Sequence, residues 1–314
     1  MNENKCLYCY ESLLENEIDF HKKCSKSFFG TDKAPIVSFG NDELNKIAQN
    51  LVNRRQVVTG VQPKLSLSIE PLANKQSRLT IVGVMGKYIL KPQTQQFEEV
   101  PQNESLIMKI AQEMGIKTAQ NTLIRLVNGE LAYLTKRFDR SEKDKIHVQD
   151  FCQITDTLTE YKYRSSMEKV GKAIKKYSAN AGFDALRFWE LSIFNFLVGN
   201  TDMHLKNFSL LENQSNEWVL SPAYDLLSTK IIMPEDKEET ALTINGKKNK
   251  LKRADFEELA NSLGISSKTQ NSIFEHFFKN KPLMLNWIEK SFLSEEKKQE
   301  LMELITQKLG ELSF

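Results

Sequence analysis

The sequence predicts an α+β fold, a β-rich first half with one helix followed by a helical second half. Three observations lead to it. Short β-branched runs crowd the span from Val57 to Leu90. Phe183 to Val198 is apolar on nearly every side, the pattern of a buried central helix. Four amphipathic segments, starting near Ala254, Ser267, Pro282 and Ser294, fill the end of the chain. That order suits either α+β layers or two lobes with a cleft between them.

Taken in order, Asn41 to Arg55 reads as a helix with Asp42 as N-cap and Leu44, Ile47, Ala48 and Leu51 at helical spacing. Leu65-Ser66-Leu67-Ser68-Ile69 alternates strictly, as a strand with one buried face does. Leu79-Thr80-Ile81-Val82 and Tyr88-Ile89-Leu90-Lys91 continue the pattern until Pro92 ends it. A helix is expected from about Asn103 to Met114, with Leu106, Ile107, Ile110, Ala111 and Met114 as its apolar face and Gly115 as its stop. Strands resume at Thr122–Leu126 and Leu131–Leu134, joined at Asn128-Gly129. Beyond Asp139 helix dominates.

At 314 residues the chain has room for one large domain or two closely packed lobes. Its 40% hydrophobic and 27% charged content is ordinary for a soluble globular protein. A net charge of +2 argues against a dedicated nucleic-acid binder, which would carry a strongly basic face. No apolar run reaches the ~20 residues of a membrane span, and Met1 to Cys6 lack the apolar stretch of a signal peptide. The expectation is a cytoplasmic protein that contacts neither membrane nor nucleic acid.

Three of the four cysteines fall in the first 24 residues. Cys6-Leu7-Tyr8-Cys9 and His21-Lys22-Lys23-Cys24 form two x2-spaced pairs with 11 residues between them. Such pairs can offer Cys6, Cys9, His21 and Cys24 as four tetrahedral ligands to a structural zinc. The plainer alternative is a set of unrelated small residues near a terminus. Cys152 reads as a small packed residue.

The sharpest chemical signal is Gly199-Asn200-Thr201-Asp202-Met203-His204-Leu205-Lys206-Asn207-Phe208, directly after the buried helix. An Asp followed five residues later by an Asn repeats the spacing of a protein-kinase catalytic loop, where the Asp accepts the substrate hydroxyl's proton and the Asn binds magnesium. The structural alternative is a turn-forming loop, which leaves its density of Asp, His, Lys and Asn without a role. Phe208–Leu211 and Trp218–Leu220 read as a hairpin that returns Tyr224-Asp225 to the vicinity of Asn207. An amide oxygen and a carboxylate suit Mg²⁺. Lys91 at a strand end and Glu104 at the edge of the next helix's apolar face reproduce the kinase lysine–glutamate arrangement. Thr59-Gly60-Val61-Gln62-Pro63-Lys64 is the candidate phosphate-covering loop, although it matches neither G-x-G-x-x-G nor the Walker pattern.

This set resembles the HipA family of bacterial toxin serine/threonine kinases. The matching pieces are Thr-Gly-Val-Gln-Pro-Lys at 59–64, Tyr-Ile-Leu-Lys at 88–91, Lys-Arg-Phe-Asp-Arg at 136–140 and Gln-Asp-Phe-Cys-Gln at 149–153. Asn-Thr-Asp-Met-His-Leu-Lys-Asn-Phe at 200–208 and Pro-Ala-Tyr-Asp at 222–225 complete the series. The resemblance implies a bilobal, protein-kinase-like fold with a β-rich N-lobe and a helical C-lobe. It implies Asp202 as base, His204 and Lys206 near the phosphates of ATP, and Asn207 and Asp225 on Mg²⁺ beside Tyr224. It further implies Lys91 on the nucleotide, and Lys136, Arg137 and Phe138 at an adenine-contacting hinge. Such kinases phosphorylate a serine of an aminoacyl-tRNA synthetase and pair with a helix-turn-helix antitoxin.

The familiar HipA toxin carries a further N-terminal subdomain, so this chain resembles the short form, whose subdomain comes from a separate small protein. The expected domains are a Cys/His knuckle at 1–30, an N-terminal kinase lobe at 31–138 and a helical lobe at 139–314. Family members autophosphorylate a serine just before the loop glycine; here only Thr59 offers a hydroxyl. The rival readings are a small-molecule or lipid kinase using the same chemistry and a non-enzymatic zinc-containing binding module.

Overall fold

The strict alternation around Leu65 forms the strand it predicts, and its neighbours pair to match. In the computed structural model, which describes residues 4–41, 43–44, 46–47, 64–72, 76–82, 85–141 and 144–313, five strands make one antiparallel sheet. They are β1 (Leu65–Pro71), β2 (Ser77–Ile81), β3 (Tyr88–Lys91), β4 (Asn121–Arg125) and β5 (Leu131–Lys136), in the order β2-β1-β3-β5-β4. Register places Leu65 opposite Leu90, Leu90 opposite Leu134 and Leu134 opposite Thr122, a buried row running across four strands. A one-residue slip would turn that row to the other face of the sheet, so the apolar pattern specifies the register.

Both outer strands are covered by the segment that precedes the sheet. The Leu7 carbonyl accepts from the Leu123 amide (3.3 Å) and the Thr122 hydroxyl (3.0 Å) on β4. Ile36 donates to the Ser77 carbonyl (2.7 Å) and accepts from Leu79 (2.9 Å) on β2. Edge strands left with free N–H and C=O groups would template pairing with another chain. Between these contacts runs the helix Lys22–Phe29, which stops at Gly30 (φ +80) and sets Phe28 and Phe29 against Tyr88 of β3. Asn41, Glu43, Leu44, Lys46 and Ile47 are helical as expected. The rest of that expected helix, and Thr59, Gly60, Val61, Gln62 and Pro63, lie outside the described residues.

The chain separates into two units, Met1–Ser105 with Ala119–Arg137 and Lys290–Phe292, and Leu106–Thr118 with Phe138–Glu289 and Leu293–Phe314. The helix Val100–Glu113 starts three residues earlier than the pattern suggests. Pro101 occupies its first turn, where a missing N–H costs nothing. It ends as expected at Gly115 (φ +84), with Ile116 donating to Ala111 and Gly115 to Gln112.

The second unit is built on the helix Ala181–Leu197, buried over most of its length. Trp189 inside it donates to the Phe256 carbonyl at 2.7 Å and meets Phe274 edge to face. Phe183 departs from the expected burial, being 65% exposed in the first turn. The inward position there belongs to Asp184, whose carboxylate accepts from Ser178 (2.6 Å) and the Leu220 amide (2.7 Å). A second sheet of three antiparallel strands, β6 (Val148–Asp150), β7 (Ser209–Glu212) and β8 (Trp218–Leu220), contains the expected hairpin and an unforeseen first strand. The later helices, Arg253–Ser262, Ser267–Lys279, Lys281–Lys290 and Glu295–Leu312, start within a residue of their expected positions. Ser266 and Ser294 cap two of them through their side chains. Among the described residues no helix is long and apolar enough to cross a membrane.

Glu190, on the central helix, lines a cavity of about 390 Å³ with Lys117, Arg187 and Ala223. Burial pushes its carboxyl above the ordinary value, against the pull of His276 and Arg187. A raised acid binds more protons folded than unfolded, so its cost to stability grows as pH rises from about 4.3 and is complete above the folded pKa. Glu190→Gln is therefore expected to raise the urea midpoint at pH 7 and to lose that advantage below about pH 4.3. Urea unfolding at the two pH values measures it.

Candidate active site

An apolar helix must hand the chain to a polar loop at the end of Ala181–Leu197, and glycine makes the exit possible. Gly199 has φ +66, and a β-carbon there would lie 2.7 Å from Leu304 Cδ2 and 2.9 Å from Lys230 Cβ. Both the backbone region and the space exclude a side chain. The turn's polar groups are then satisfied in burial. Asn200 donates to Asn195 Oδ1 (3.0 Å), while the Thr229 hydroxyl donates to the Gly199 carbonyl (3.0 Å) and accepts from the Thr201 amide (2.7 Å). The Thr201 hydroxyl donates to Asp236 at 2.7 Å.

From this anchor the loop closes on itself. Asn207 Nδ2 donates to the Asp202 carbonyl at 2.9 Å, and the His204 amide donates to the same carbonyl at 2.9 Å. Leu205–Asn207 forms one 3₁₀ turn that leads into β7. The hairpin β7–β8 pairs Leu210 with Leu220 and Leu211 with Val219, which returns the chain to Tyr224 and Asp225. The Tyr224 hydroxyl donates to the Lys206 carbonyl (2.9 Å) and pairs with the Ser209 hydroxyl (2.5 Å). Asp225 itself is held at φ +55, a left-handed conformation uncommon for a residue with a side chain. Phe138 lies with its ring centroid 5.4 Å from that of Tyr224.

His204 is buried, and its Nδ1 has no hydrogen-bond partner among the described residues. Burial pushes the imidazole below its ordinary pKa, opposed by the carboxylates of Asp202 and Asp225 and assisted by Lys162. The ring is therefore mostly neutral at pH 7. Tyr163 meets it edge to face at 5.0 Å and donates its hydroxyl to Asp202 Oδ1 at 2.6 Å. Burial first, then the Asp202 contact, raises the Tyr163 phenol, which keeps its proton and stays a donor. Lys206 pairs with Asp150 at 2.7 Å, and Asp150 also caps the short helix Phe151–Ile154 in a capping box with Gln153. Cys152, in that helix, is buried.

In the first unit, Lys91 Nζ lies 2.5 Å from Glu104 Oε1, with side chains only 4% and 1% exposed. The ring of Tyr133, directly across from Lys91 on β5, lies 5.3 Å from that ammonium. Lys64 is exposed just before β1, and Lys136 is exposed at the end of β5. The amides of Lys136 and Arg137 are donated to the carbonyls of Gln120 and Lys87. Cys6, Cys9, His21 and Cys24 cluster with their ligand atoms within 4.8 Å of one another.

Two residues of this arrangement escaped the sequence reading. Asp150 lies inside the quoted Gln-Asp-Phe-Cys-Gln motif, but nothing local pairs it with Lys206, 56 residues on. Tyr163 sits 39 residues before Asp202, and no local pattern marks it.

A mixed α+β fold of the protein-kinase kind thus carries an Asp-to-Asn loop. The chain belongs to the HipA-like C-terminal domain family, whose model matches residues 57–282. It is 33% identical over 215 residues to the protein named "Putative kinase Y4dM" from Sinorhizobium fredii, covering 65% of this chain and 52% of that one. It is 26% identical over 206 residues to the serine/threonine-protein kinase toxin HipA of Shewanella oneidensis, covering 59% and 45%. The chain spans about half the length of these curated relatives. Among solved structures, it shares its fold with HipA of Shewanella oneidensis MR-1, determined with HipB and operator DNA. That match has a TM-score of 0.66 at 19% identity, over 84% of this chain and 70% of the other.

The buried ion pair provides a stability test. Removing one charge leaves the other buried without it, at a cost of about 3–5 kcal/mol. Glu104→Gln is expected to lower unfolding stability by roughly that amount, measured by chemical denaturation.

Proposed function

We propose that this chain is an ATP- and Mg²⁺-dependent serine/threonine kinase and the toxin of a toxin–antitoxin pair. The observation that supports this most directly is the closed loop in which Asn207 holds the Asp202 carbonyl at 2.9 Å. With its nitrogen committed there, the Asn207 amide has its oxygen to offer a hard cation. Asp225, turned by its left-handed backbone, supplies the carboxylate. The buried His204 Nδ1 adds a polar atom that has no hydrogen-bond partner among the described residues. This oxygen-rich donor set fits Mg²⁺ and a phosphate chain. When bound, ATP supplies the phosphoryl group and Mg²⁺ offsets its charge.

In this reading Asp202 accepts the proton of the acceptor hydroxyl, and Tyr163 orients its carboxylate by donating to Oδ1. Lys206, steadied by Asp150, and the neutral His204 serve the phosphates. Tyr224 fixes the backbone before Asp225 by anchoring to Lys206 and Ser209. Lys91, aimed by Glu104, supplies the cation for the nucleotide. Thr59, Gly60, Val61, Gln62, Pro63 and Lys64 cover the phosphates, and Lys136, Arg137 and Phe138 border the adenine. The acceptor is a protein hydroxyl, with an aminoacyl-tRNA synthetase as the substrate class the family resemblance favours. A helix-turn-helix antitoxin, such as the HipB present in the Shewanella complex, is the expected partner, and a separate small protein resembling the family's N-terminal subdomain is the second.

Asp202→Asn is expected to fold and bind ATP while losing phosphotransfer by about 10²–10⁴-fold, the usual contribution of a positioned base. Asp225→Asn is expected to weaken Mg²⁺-dependent nucleotide binding as well. Undiminished turnover in the Asp202 variant would refute the assignment. Phosphoproteomics of cells expressing the wild type beside Asp202→Asn identifies the acceptor. Intact mass after incubation with Mg-ATP tests self-modification: a phosphate on Thr59 in the wild type alone is the expected outcome.

A further inference from the structure

We propose that Cys6, Cys9, His21 and Cys24 bind one Zn²⁺, and that this ion clasps the N-terminal segment onto the edge strand of the five-stranded sheet. The kinase chemistry leaves these four residues without a role, and the proposal stands independently of it.

The local geometry already resembles a tetrahedron. Cys6 and Cys9 lie on a tight turn closed by the Tyr10 amide donating to the Cys6 carbonyl at 2.9 Å. His21 and Cys24 flank the first turn of the helix Lys22–Phe29. Bonds of about 2.3 Å to sulfur and 2.0–2.1 Å to nitrogen place neighbouring ligand atoms of a tetrahedral site about 3.5–3.8 Å apart. His21 Nδ1 lies 3.2 Å from Cys9 Sγ and 3.7 Å from Cys24 Sγ, and all four ligand atoms fall within 4.8 Å of one another. None of the three cysteines is in a disulfide.

The orientation of the histidine is a second, independent observation. Its Nε2 lies 3.0 Å from the Ser12 carbonyl, and Ser12 is held by bridging to Lys5. A carbonyl oxygen can only accept, so Nε2 carries the proton. In the neutral ring that leaves the lone pair on Nδ1, 3.2 Å from Cys9 Sγ, the tautomer a metal requires. A metal-bound histidine commonly donates its other nitrogen to a carbonyl in this way. The His21 amide also points to Cys6 Sγ at 3.5 Å, a donor suited to a thiolate. Cys6 and Cys24 are buried, and four protein ligands leave no open coordination position, so the site is structural rather than catalytic. Binding exchanges three thiol protons, released to solvent, for one Zn²⁺.

What the ion would hold is visible around it. Leu7, inside the Cys6–Cys9 turn, receives the Thr122 hydroxyl and the Leu123 amide of β4 on its carbonyl. Its own amide donates to the Asp19 carbonyl at 2.7 Å, and the Asp19 carboxylate pairs with Arg125 of β4 at 2.8 Å. Tyr10 follows with a hydroxyl bond to Ser105 (2.8 Å) and an edge-to-face contact on Phe292 (5.0 Å). Both metal-binding turns thus lie next to residues that cover the outer strand.

Elemental analysis of the purified full-length protein is expected to find about one zinc per chain. Cobalt substitution is expected to give the visible bands of tetrahedral thiolate-bound Co²⁺. Cys9→Ser should lose the metal, whereas Cys152→Ser should retain it. Hydrogen exchange before and after chelation should show the Leu123 amide losing protection while the centre of β3 keeps it. Metal-free wild-type protein whose three thiols titrate freely, a Cys6–Cys9 disulfide by mass, full zinc in Cys9→Ser, or an unchanged Leu123 amide after chelation would each overturn the proposal. The wild-type measurements decide the matter even if a variant does not fold.

Discussion

The Thr229 hydroxyl, donating to the Gly199 carbonyl while accepting from the Thr201 amide, is the contact on which the candidate active site depends. A turn that follows a buried apolar helix would otherwise carry backbone groups far from water, and each unpaired group costs about 1–3 kcal/mol. With Thr229 and the Asn195–Asn200 pair in place, these buried polar groups of the turn are paired. Asp202 then leaves it in a defined direction, and Asn207 can reach back to its carbonyl. Satisfied polar groups act here together with the close packing of Leu304 and Lys230 around Gly199.

A different economy governs the first unit. Lys91 and Glu104 are both nearly inaccessible to water, so removing either charge is costly to the other. Such a pair adds little net stability compared with apolar residues of the same size. Its effect is to fix the lysine ammonium relative to the strand and helix that carry the two side chains. The ring of Tyr133 adds a further weakly attractive surface near that cation.

Features encoded by neighbouring residues were legible in the sequence. The alternation in β1, the Gly115 stop and the β7–β8 hairpin all follow from local periodicity or turn chemistry. The Asp202-to-Asn207 spacing was legible because a single loop carries both groups. Features encoded by distant pairs were not. Tyr163 reaches Asp202 across 39 residues, and Asp150 reaches Lys206 across 56. β6 is only three residues long and partly exposed, too short for alternation to register. Phe183 looked buried because hydropathy does not reveal that Asp184, which accepts from Ser178, Leu220 and Arg187, takes the inward position.

The covering of β4 by Leu7 has a consequence for how the protein is made. The two partners lie 115 residues apart, and Leu7 leaves the ribosome long before Thr122 is synthesised. Until then the turn around Leu7 has no strand to rest on, and β1, β2 and β3 emerge while their sheet still lacks β5 and β4. Closing so long a loop costs entropy before any contact repays it, and non-local pairings of this kind slow folding. Completion of the sheet therefore waits until β5, which ends at Lys136, has been synthesised, and until then the nascent chain carries open strand edges.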